Sequence, residues 1–339
     1  MIRRFERPLR RRAKRIPLIR KARDELVKRY HGTLLKGAGV WRRLLGSDSV
    51  THTGGIDPAN IVWIFCSSRS GSTWLRSMMA EIEGHKVWEE PKVGRLFGDF
   101  YRKAQKGQLA SSNFIMGEPT RTGWIKSIRN FILDGAQYAH PFLNPGHYLV
   151  VKEVDSSTGA PLVMEALPES RMIFLVRDPR DVAASALDAK KEGNWMYETM
   201  DEAGWKRKSM ADKEPDSFVQ RRAKTYLRQV ESIKEAYNTH RGRKVLVRYE
   251  DLRSDTLGTM RRIYSMLEIP VEEGALIRAV EKHSWENVPE TEKGEGKFYR
   301  KASPGGWRKD LTSEQAKVVE RITAPLLEEF YPRRNTPGG

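Results

Sequence analysis

The sequence predicts an α/β fold of three layers, with helices on both faces of a mostly parallel central sheet. Two continuous apolar runs of strand length, Ile61–Cys66 and Arg171–Val176, have the composition of strands that are buried on both faces. Strand-like segments also alternate with helical patterns over most of the chain. Because parallel neighbours are joined by crossovers that are usually helices, this alternation favours a mostly parallel sheet.

The individual elements follow from local patterns. Turn residues at 51–60 precede the first strand and mark the start of a domain that we place at 51–332. Pro179 suits the first turn of a helix, where no backbone donor is needed. The predicted strands are Ile61–Cys66, Lys86–Trp88, His147–Val154, Arg171–Val176 and Lys244–Arg248, the last closed by Tyr249–Asp251. The predicted helices are Trp74 to about Glu83, Ala160–Leu167, Pro179 to about Lys190, Phe218–Thr239, 254–267, 271–282 and 312–329. The remaining regions are less regular: 92–146 are predicted to be mostly helix and loop, 191–217 irregular, and 287–311 a loop.

Composition excludes several classes of protein. With 339 residues, of which 39% are hydrophobic, the chain has enough apolar surface for a packed core and is not wholly disordered. No apolar stretch is long enough for a transmembrane helix, and the N-terminus lacks the apolar core of a secretory signal. The single cysteine, Cys66, has no intrachain partner and ends a buried strand, which is typical of packing. We therefore expect a cytoplasmic protein with no metal site.

The positive charge is concentrated at the N-terminus. Residues 1–45 contain sixteen Lys and Arg residues and three acids, so most of the formal net charge of +17 belongs to this segment. Apolar residues lie among the basic ones, which is typical of an amphipathic element on an anionic membrane surface. A solvated disordered arm, a transit peptide or a nucleic-acid contact remain alternatives, although the near-neutral remainder argues against specific nucleic-acid binding. We treat 1–50 as an extension and 333–339 as a tail.

A loop of small and polar residues, Ser67–Thr73, joins the first strand to the next helix. The first turn of a helix presents unpaired N–H groups and a partial positive charge, and Gly71 lets an oxyanion approach the backbone. The hydroxyl groups add donors and Arg69 adds a cation. A Walker A loop would have a second glycine before Gly71, which is absent from this loop, and Lys in place of Ser72. The loop therefore predicts a phosphate or sulfate site in a P-loop-like nucleotide-binding fold, with a plain capped helix as the alternative.

A second loop follows the second apolar run. Arg177 ends that strand, and Ser185 lies eight residues later on the helix that Pro179 begins. An arginine at a strand end and a serine two turns along the next helix can converge on one phosphate. The alternative is a capped helix, in which Asp178 and Asp181 cap and pair with surface arginines.

Together these segments resemble the sulfotransferases that use 3′-phosphoadenosine 5′-phosphosulfate (PAPS). Arg69–Trp74 matches the loop that holds the 5′-phosphosulfate in that superfamily, and Arg177 with Ser185 matches the pair that holds the 3′-phosphate. Val247–Leu252 is similar to the family's strand that ends in Tyr-Glu-Asp, and 298–312 is similar to the loop that closes over the 3′-phosphate. The resemblance covers roughly residues 60–330 and implies these cofactor-binding residues: Ser68, Arg69, Ser70, Gly71, Ser72, Thr73, Trp74, Arg177, Ser185, Tyr249, Arg300 and Lys301.

The sequence also departs from that family. Ala302 replaces a glycine of the closing loop, and Gly306 precedes Trp307 where the cytosolic branch has Asp, so Arg300 and Lys301 are weaker assignments than Arg177. The cytosolic enzymes use a histidine as base, but the matching stretch here, 151–155, has none.

A carboxylate is therefore expected to take the proton of the acceptor. In the tyrosylprotein branch the base is a glutamate at a similar distance after the loop arginine, and Glu90 stands 21 residues after Arg69. Glu89, Glu153 and Asp155 are the alternatives.

The resemblance implies in-line transfer of a sulfuryl group from PAPS to a hydroxyl or amine, with Arg69 stabilising charge as the 5′-phosphate leaves. The acceptor is open: a glycan, a glycolipid or a small alcohol or phenol. Aromatic residues outside the motifs are candidate walls for its pocket, with ordinary core packing as the alternative: Phe97, Phe100, Tyr101, Trp124, Trp195, Tyr197 and Trp205. A P-loop nucleotide kinase or NTPase is the second interpretation, and a binding protein with a catalytically silent core is the third.

Overall fold

The structure is a computed structural model that describes residues 56–99, 101–102, 114–141, 143–202 and 210–332. The basic extension, the tail after 332 and the aromatic residues Phe100 and Trp205 lie outside the described residues. The strands are β1 Ile61–Cys66, β2 His85–Glu89, β3 Tyr148–Glu153, β4 Arg171–Val176 and β5 Lys244–Arg248. The helices are α1 Ser72–Ala80, α2 Arg121–Ala139, α3 Ala160–Ala166, α4 Pro179–Ala189, α5 Trp195–Glu202, α6 Met210–Lys213, α7 Pro215–Thr239, α8 Tyr249–Ser254, α9 Thr256–Met266, α10 Glu273–Lys282, α11 Trp307–Asp310 and α12 Ser313–Phe330.

The five strands form one parallel sheet in the order β2-β3-β1-β4-β5. Helices cover both faces. On one face α2, α7 and α12 pack over Trp63, Phe65 and Phe174. On the other, α1, α9 and α10 pack over Ile64 and Ile173. The predicted three-layer α/β fold is confirmed.

The strand register places the ends of the strands at one edge of the sheet. Cys66 pairs with Leu175, and Val176 pairs with Arg248. The chain therefore leaves β1, β4 and β5 at nearly the same level. Loops from three distant parts of the sequence meet at this carboxyl edge, where ligands of open α/β sheets bind.

Three segments differ from the prediction in the kind of element they form. Residues 191–217 are not irregular throughout, since they contain α5, α6 and the first turn of α7. The start of α5 is held by a distant loop, because the backbone N–H of Trp195 donates to the carbonyl of Gly296. Tyr249–Asp251 does not merely close β5, because α8 begins there. The closing loop includes the short helix α11.

Candidate active site

An open cleft lies at the carboxyl edge of the sheet. Ten of the residues that the sequence singled out line it: Arg69, Gly71, Ser72, Thr73, Trp74, Arg177, Ser185, Tyr249, Arg300 and Lys301. Ser68, Ser70 and Glu90 do not line it. The cleft thus brings together residues that are more than 200 positions apart in the chain.

The first loop ends in an uncapped helix. Gly71, with φ 89°, occupies the N-cap position of α1 in the left-handed region, and no side chain accepts a hydrogen bond there. A Cβ at Gly71 would lie 2.5 Å from the Tyr249 ring, so only glycine fits this turn under the tyrosine. Ser70 is fully buried, and its Oγ has no hydrogen-bond partner among the described residues. A helix terminus with unused donors suits an anion.

Arg69 connects the first loop with the second. Its φ is 71°, its Nε donates to Ser185 Oγ at 3.1 Å, and its Nη2 donates to the carbonyl of Phe298 at 3.3 Å. The guanidinium lies 5.2 Å from the Trp195 ring and 5.4 Å from the Phe298 ring. Burial, followed by the charges of neighbouring arginines, lowers the pKa of Arg69 to about 10, so it remains a cation at neutral pH.

Arg177 lies beside the first loop. Its Nη1 donates to the backbone oxygen of Arg69 at 2.9 Å, and its guanidinium stacks 4.3 Å from the Tyr249 ring. Its buried Nε has no hydrogen-bond partner among the described residues. The side chains of three residues thus form one cationic group: Arg69, Arg177 and Ser185. The Nε of Arg177 is the donor in this group that has no partner among the described residues. The Asp178 side chain caps α4, as the alternative interpretation of this loop expected.

Arg300 and Lys301 also line the cleft, but both are bound to one carboxylate. Arg300 Nη2 lies 2.8 Å and Lys301 Nζ lies 2.6 Å from the oxygens of Asp310. The rest of this loop is held by Asp181, which accepts hydrogen bonds from the backbone N–H groups of Gly305 and Trp307. An anion that uses Arg300 or Lys301 must therefore compete with Asp310.

Glu90 lies just after β2 and is joined to the first loop through Lys152. Lys152, which is only 5% exposed, forms ion pairs with Glu89 and, at 3.1 Å, with Glu90. The same ammonium donates to Thr73 Oγ1 at 3.2 Å. Arg76 Nε lies 2.9 Å from the other carboxylate oxygen of Glu89. The backbone of Glu90 is in the left-handed region, with a φ of 46°. Lys152 thus pairs with the predicted base.

Glu153 lies on the other face of the sheet, because neighbouring side chains of a strand alternate. Its carboxylate accepts the backbone N–H of Gly94 at 3.4 Å, is fully buried, and has one oxygen without a hydrogen-bond partner among the described residues. Burial and, to a smaller extent, the charge of Glu90 raise the pKa of Glu153 to about 7. Asp155 is exposed and follows β3.

Some residues that line the cleft carried no signal that sequence reasoning used, among them Arg253, His283 and Trp285. Trp195 and Phe298 pack edge to face at 5.0 Å over Arg69, so Trp195 belongs to the cleft region. Of the other aromatic candidates, Trp124 is buried in the core, Tyr101 packs on it, and Phe97 packs on Phe131. Within the part of the chain that the structure describes, there is no cluster of metal-ligating side chains and no helix with both the length and the apolarity to span a membrane.

Comparison with known proteins agrees with these features. No curated protein matches the sequence significantly. A mouse sulfotransferase in complex with PAP is 13% identical, with coverage of 80% of this chain and 85% of that chain and a TM-score of 0.50. A sulfotransferase from Mycobacterium avium is also 13% identical and has a TM-score of 0.50, and the match covers 80% of this chain and 77% of that chain. At such identities the two structures show the fold alone. The Sulfotransferase domain model matches residues 60–331, most of the chain, and the chain therefore belongs to the sulfotransferase family, within the PAPS-dependent superfamily that its loops resemble.

Proposed function

We propose that this enzyme transfers the sulfuryl group of PAPS to a hydroxyl or amine of an acceptor by in-line displacement. The observation that carries the proposal is the group of Arg69, Arg177 and Ser185 beside the uncapped start of α1. It offers fixed positive charge and unused donors in one cleft, as a nucleotide with phosphates at both its 3′ and 5′ ends requires.

The residues present fit PAPS. The unpartnered Ser70 Oγ and the N–H groups at the start of α1 support a phosphate at the 5′ end, together with Thr73. The free Nε of Arg177 and the neighbouring Ser185 support binding of the 3′-phosphate. When bound, PAPS supplies an activated sulfuryl group, whose bond to the 5′-phosphate breaks as the bond to the acceptor oxygen forms.

Glu90 is the proposed base, and it accepts the proton of the acceptor hydroxyl. Lys152 supports this assignment, since it contacts both Glu90 and Thr73 and so connects the base to the 5′ end of the site. Glu153 is the weaker candidate because it lies on the opposite face of the sheet and accepts a backbone N–H. Arg69, whose Nε donates to Ser185 Oγ, would supply positive charge to the bound nucleotide.

The proposed acceptor is a glycan, a glycolipid or a small alcohol or phenol. Trp195 and Phe298, which stack over the loops, are apolar surfaces that suit a ring. The excess of positive charge in residues 1–45 supports peripheral contact with an anionic membrane and would place a cytoplasmic enzyme near amphiphilic acceptors.

Calorimetric titration with 3′-phosphoadenosine 5′-phosphate (PAP), without metal, tests the donor assignment. Adenosine 5′-phosphate and Mg-ATP are the controls. We expect micromolar binding of PAP that needs its 3′-phosphate. Binding of Mg-ATP in preference to PAP would instead support the nucleotide-kinase interpretation and overturn the proposal.

A further inference from the structure

One face of the long helix α7 contacts both nucleotide loops. Arg222, Tyr226 and Gln229 are spaced by four and three residues, so their side chains leave the helix on the same side. We call these three residues the α7 stripe. None of them belongs to a motif that the sequence resemblance uses.

Two members of the stripe hold the start of the first loop. Arg222 Nη2 donates to Ser67 Oγ at 2.9 Å and to the backbone oxygen of Ser68 at 2.7 Å. The hydroxyl of Ser67 in turn donates to Gln229 Oε1 at 2.7 Å. The two residues that precede Arg69 are therefore held by side chains from α7.

The third member holds the start of the second loop. Tyr226 is 1% exposed, and its hydroxyl donates to the backbone oxygen of Arg177 at 2.5 Å. This is the point where β4 ends and the Arg177 side chain turns into the cleft. One helix face thus determines the position of both loops relative to each other.

Arg222 adds charge as well as hydrogen bonds. Its Nε is buried and has no hydrogen-bond partner among the described residues, and burial lowers its pKa. A desolvated cation is costly, and a neutral donor would suffice to hold Ser67. The charge lies behind the first loop, close enough to lower the pKa of Arg69. An anion in front of that loop would offset this repulsion.

We propose that the α7 stripe positions the two nucleotide loops, and that different residues of the stripe act on the two phosphates of the nucleotide. Tyr226 acts through Arg177 on recognition of the 3′-phosphate, and Arg222 acts through Ser67 and Ser68 on binding of the 5′-phosphate. The proposal rests on the proposed function, since it assumes that these loops bind a nucleotide with both phosphates.

The test measures the affinities of the full chain and its variants for PAP and for adenosine 5′-phosphate by calorimetry. In Tyr226→Phe the Arg177 side chain keeps its hydrogen bond to the backbone of Arg69, so we expect PAP binding to weaken about 3- to 10-fold while adenosine 5′-phosphate binds as before. In Arg222→Gln we expect both nucleotides to weaken by a similar factor, so that the ratio of their affinities is unchanged. Arg222→Lys, which retains the charge, should recover part of the loss.

Ser232→Ala is the matched control, because Ser232 lies on the same helix and donates to the backbone oxygen of Thr158. It should bind both nucleotides like the wild type. Thermal unfolding of each variant separates positioning from loss of fold. Wild-type affinities in Tyr226→Phe and Arg222→Gln, or equal losses for both nucleotides in Tyr226→Phe, would overturn the inference alone. A wild-type protein that fails to bind PAP would overturn the proposed function and this inference with it.

Discussion

Arg177 Nη1 donates a hydrogen bond to the backbone oxygen of Arg69 at 2.9 Å. These two residues are 108 positions apart in the chain, and they begin the two motifs from which the sequence predicted the nucleotide site. The Arg177 side chain, which is proposed to bind the 3′-phosphate, therefore also orients the backbone of the loop that is proposed to bind the 5′-phosphate. Removal of the Arg177 side chain is therefore expected to affect both loops.

Arg177→Ala removes a charge-assisted contact with the 3′-phosphate. Such contacts are worth about 1.5–3 kcal/mol, so PAP affinity should fall roughly 10- to 150-fold. Arg177→Lys retains the charge but loses the planar group that stacks on Tyr249 and reaches Arg69, so it should recover only part of the loss. Calorimetry with PAP measures both variants.

The control for this change is Arg243→Ala. Arg243 is a half-exposed arginine that pairs with Glu268 away from the cleft, and its loss should leave PAP binding unchanged. If Arg177→Ala bound PAP as tightly as wild type, Arg177 would have no role at the 3′-phosphate.

Glu90→Gln should remove the base while leaving the nucleotide site intact. General bases contribute typically about 10²- to 10⁴-fold, so turnover should fall by a factor in that range with unchanged affinity for PAP. The measurement is transfer of labelled sulfate from PAPS to whichever acceptor a screen of phenols, alcohols and glycans identifies for the wild type.

Glu89→Gln is the matched comparison, since Glu89 also contacts Lys152 but is additionally paired with Arg76. It should retain most of the turnover. Near-normal turnover in Glu90→Gln with intact PAP binding would move the base to Glu153 or Asp155.

The fold could be predicted closely because its strands are marked by composition alone. Ile61–Cys66 and Arg171–Val176 were predicted with their observed bounds, since a strand buried on both faces is mostly apolar. Lys244–Arg248 was also predicted with its observed bounds, and its buried residues alternate with half-buried ones. Helix α5 was missed because its position depends on a contact with Gly296, about 100 residues away. No local pattern encodes such a contact.

The candidate site was predictable where a local motif carries it and not where the fold assembles it. The spacing of Arg177 and Ser185 and the loop around Gly71 are visible in the sequence. The ion pair of Lys152 with Glu90 arises from the register of β2 with β3, in which Glu89 pairs with Lys152. The involvement of Asp310 with Arg300 likewise appears only in three dimensions.

Glu153→Gln should make stability less dependent on pH. Burial raises the pKa of Glu153 to about 7, so the folded state holds this proton where the unfolded chain releases it. The wild type should therefore lose stability as pH rises from about 4.5 to about 7, by up to about 3 kcal/mol from this group. Glutamine is neutral throughout, so the variant should gain stability relative to wild type between pH 5 and pH 8.

Urea unfolding of both proteins at several pH values measures this difference. Glu169→Gln is a control of opposite sign, because Arg129 lowers the pKa of the Glu169 carboxyl. In that comparison the variant should lose stability relative to wild type as pH rises to about 4.5, and the difference should stay constant above that pH. A Glu153→Gln difference that does not change with pH would contradict the raised pKa.

The lone cysteine should be inert in the folded protein. Cys66 is fully buried at the end of β1, and burial raises the pKa of its thiol to about 12, although Ser72 and Lys152 oppose the shift. Since the thiolate is the reactive species, only about 10⁻⁴ of this thiol is ionised at pH 8. Iodoacetamide should therefore leave the native protein unmodified and label it fully in denaturant. Because the chain has one cysteine, mass spectrometry reads the result without ambiguity. Rapid labelling of the native state, at the rate of a free thiol, would show that β1 and the loop after it open to solvent.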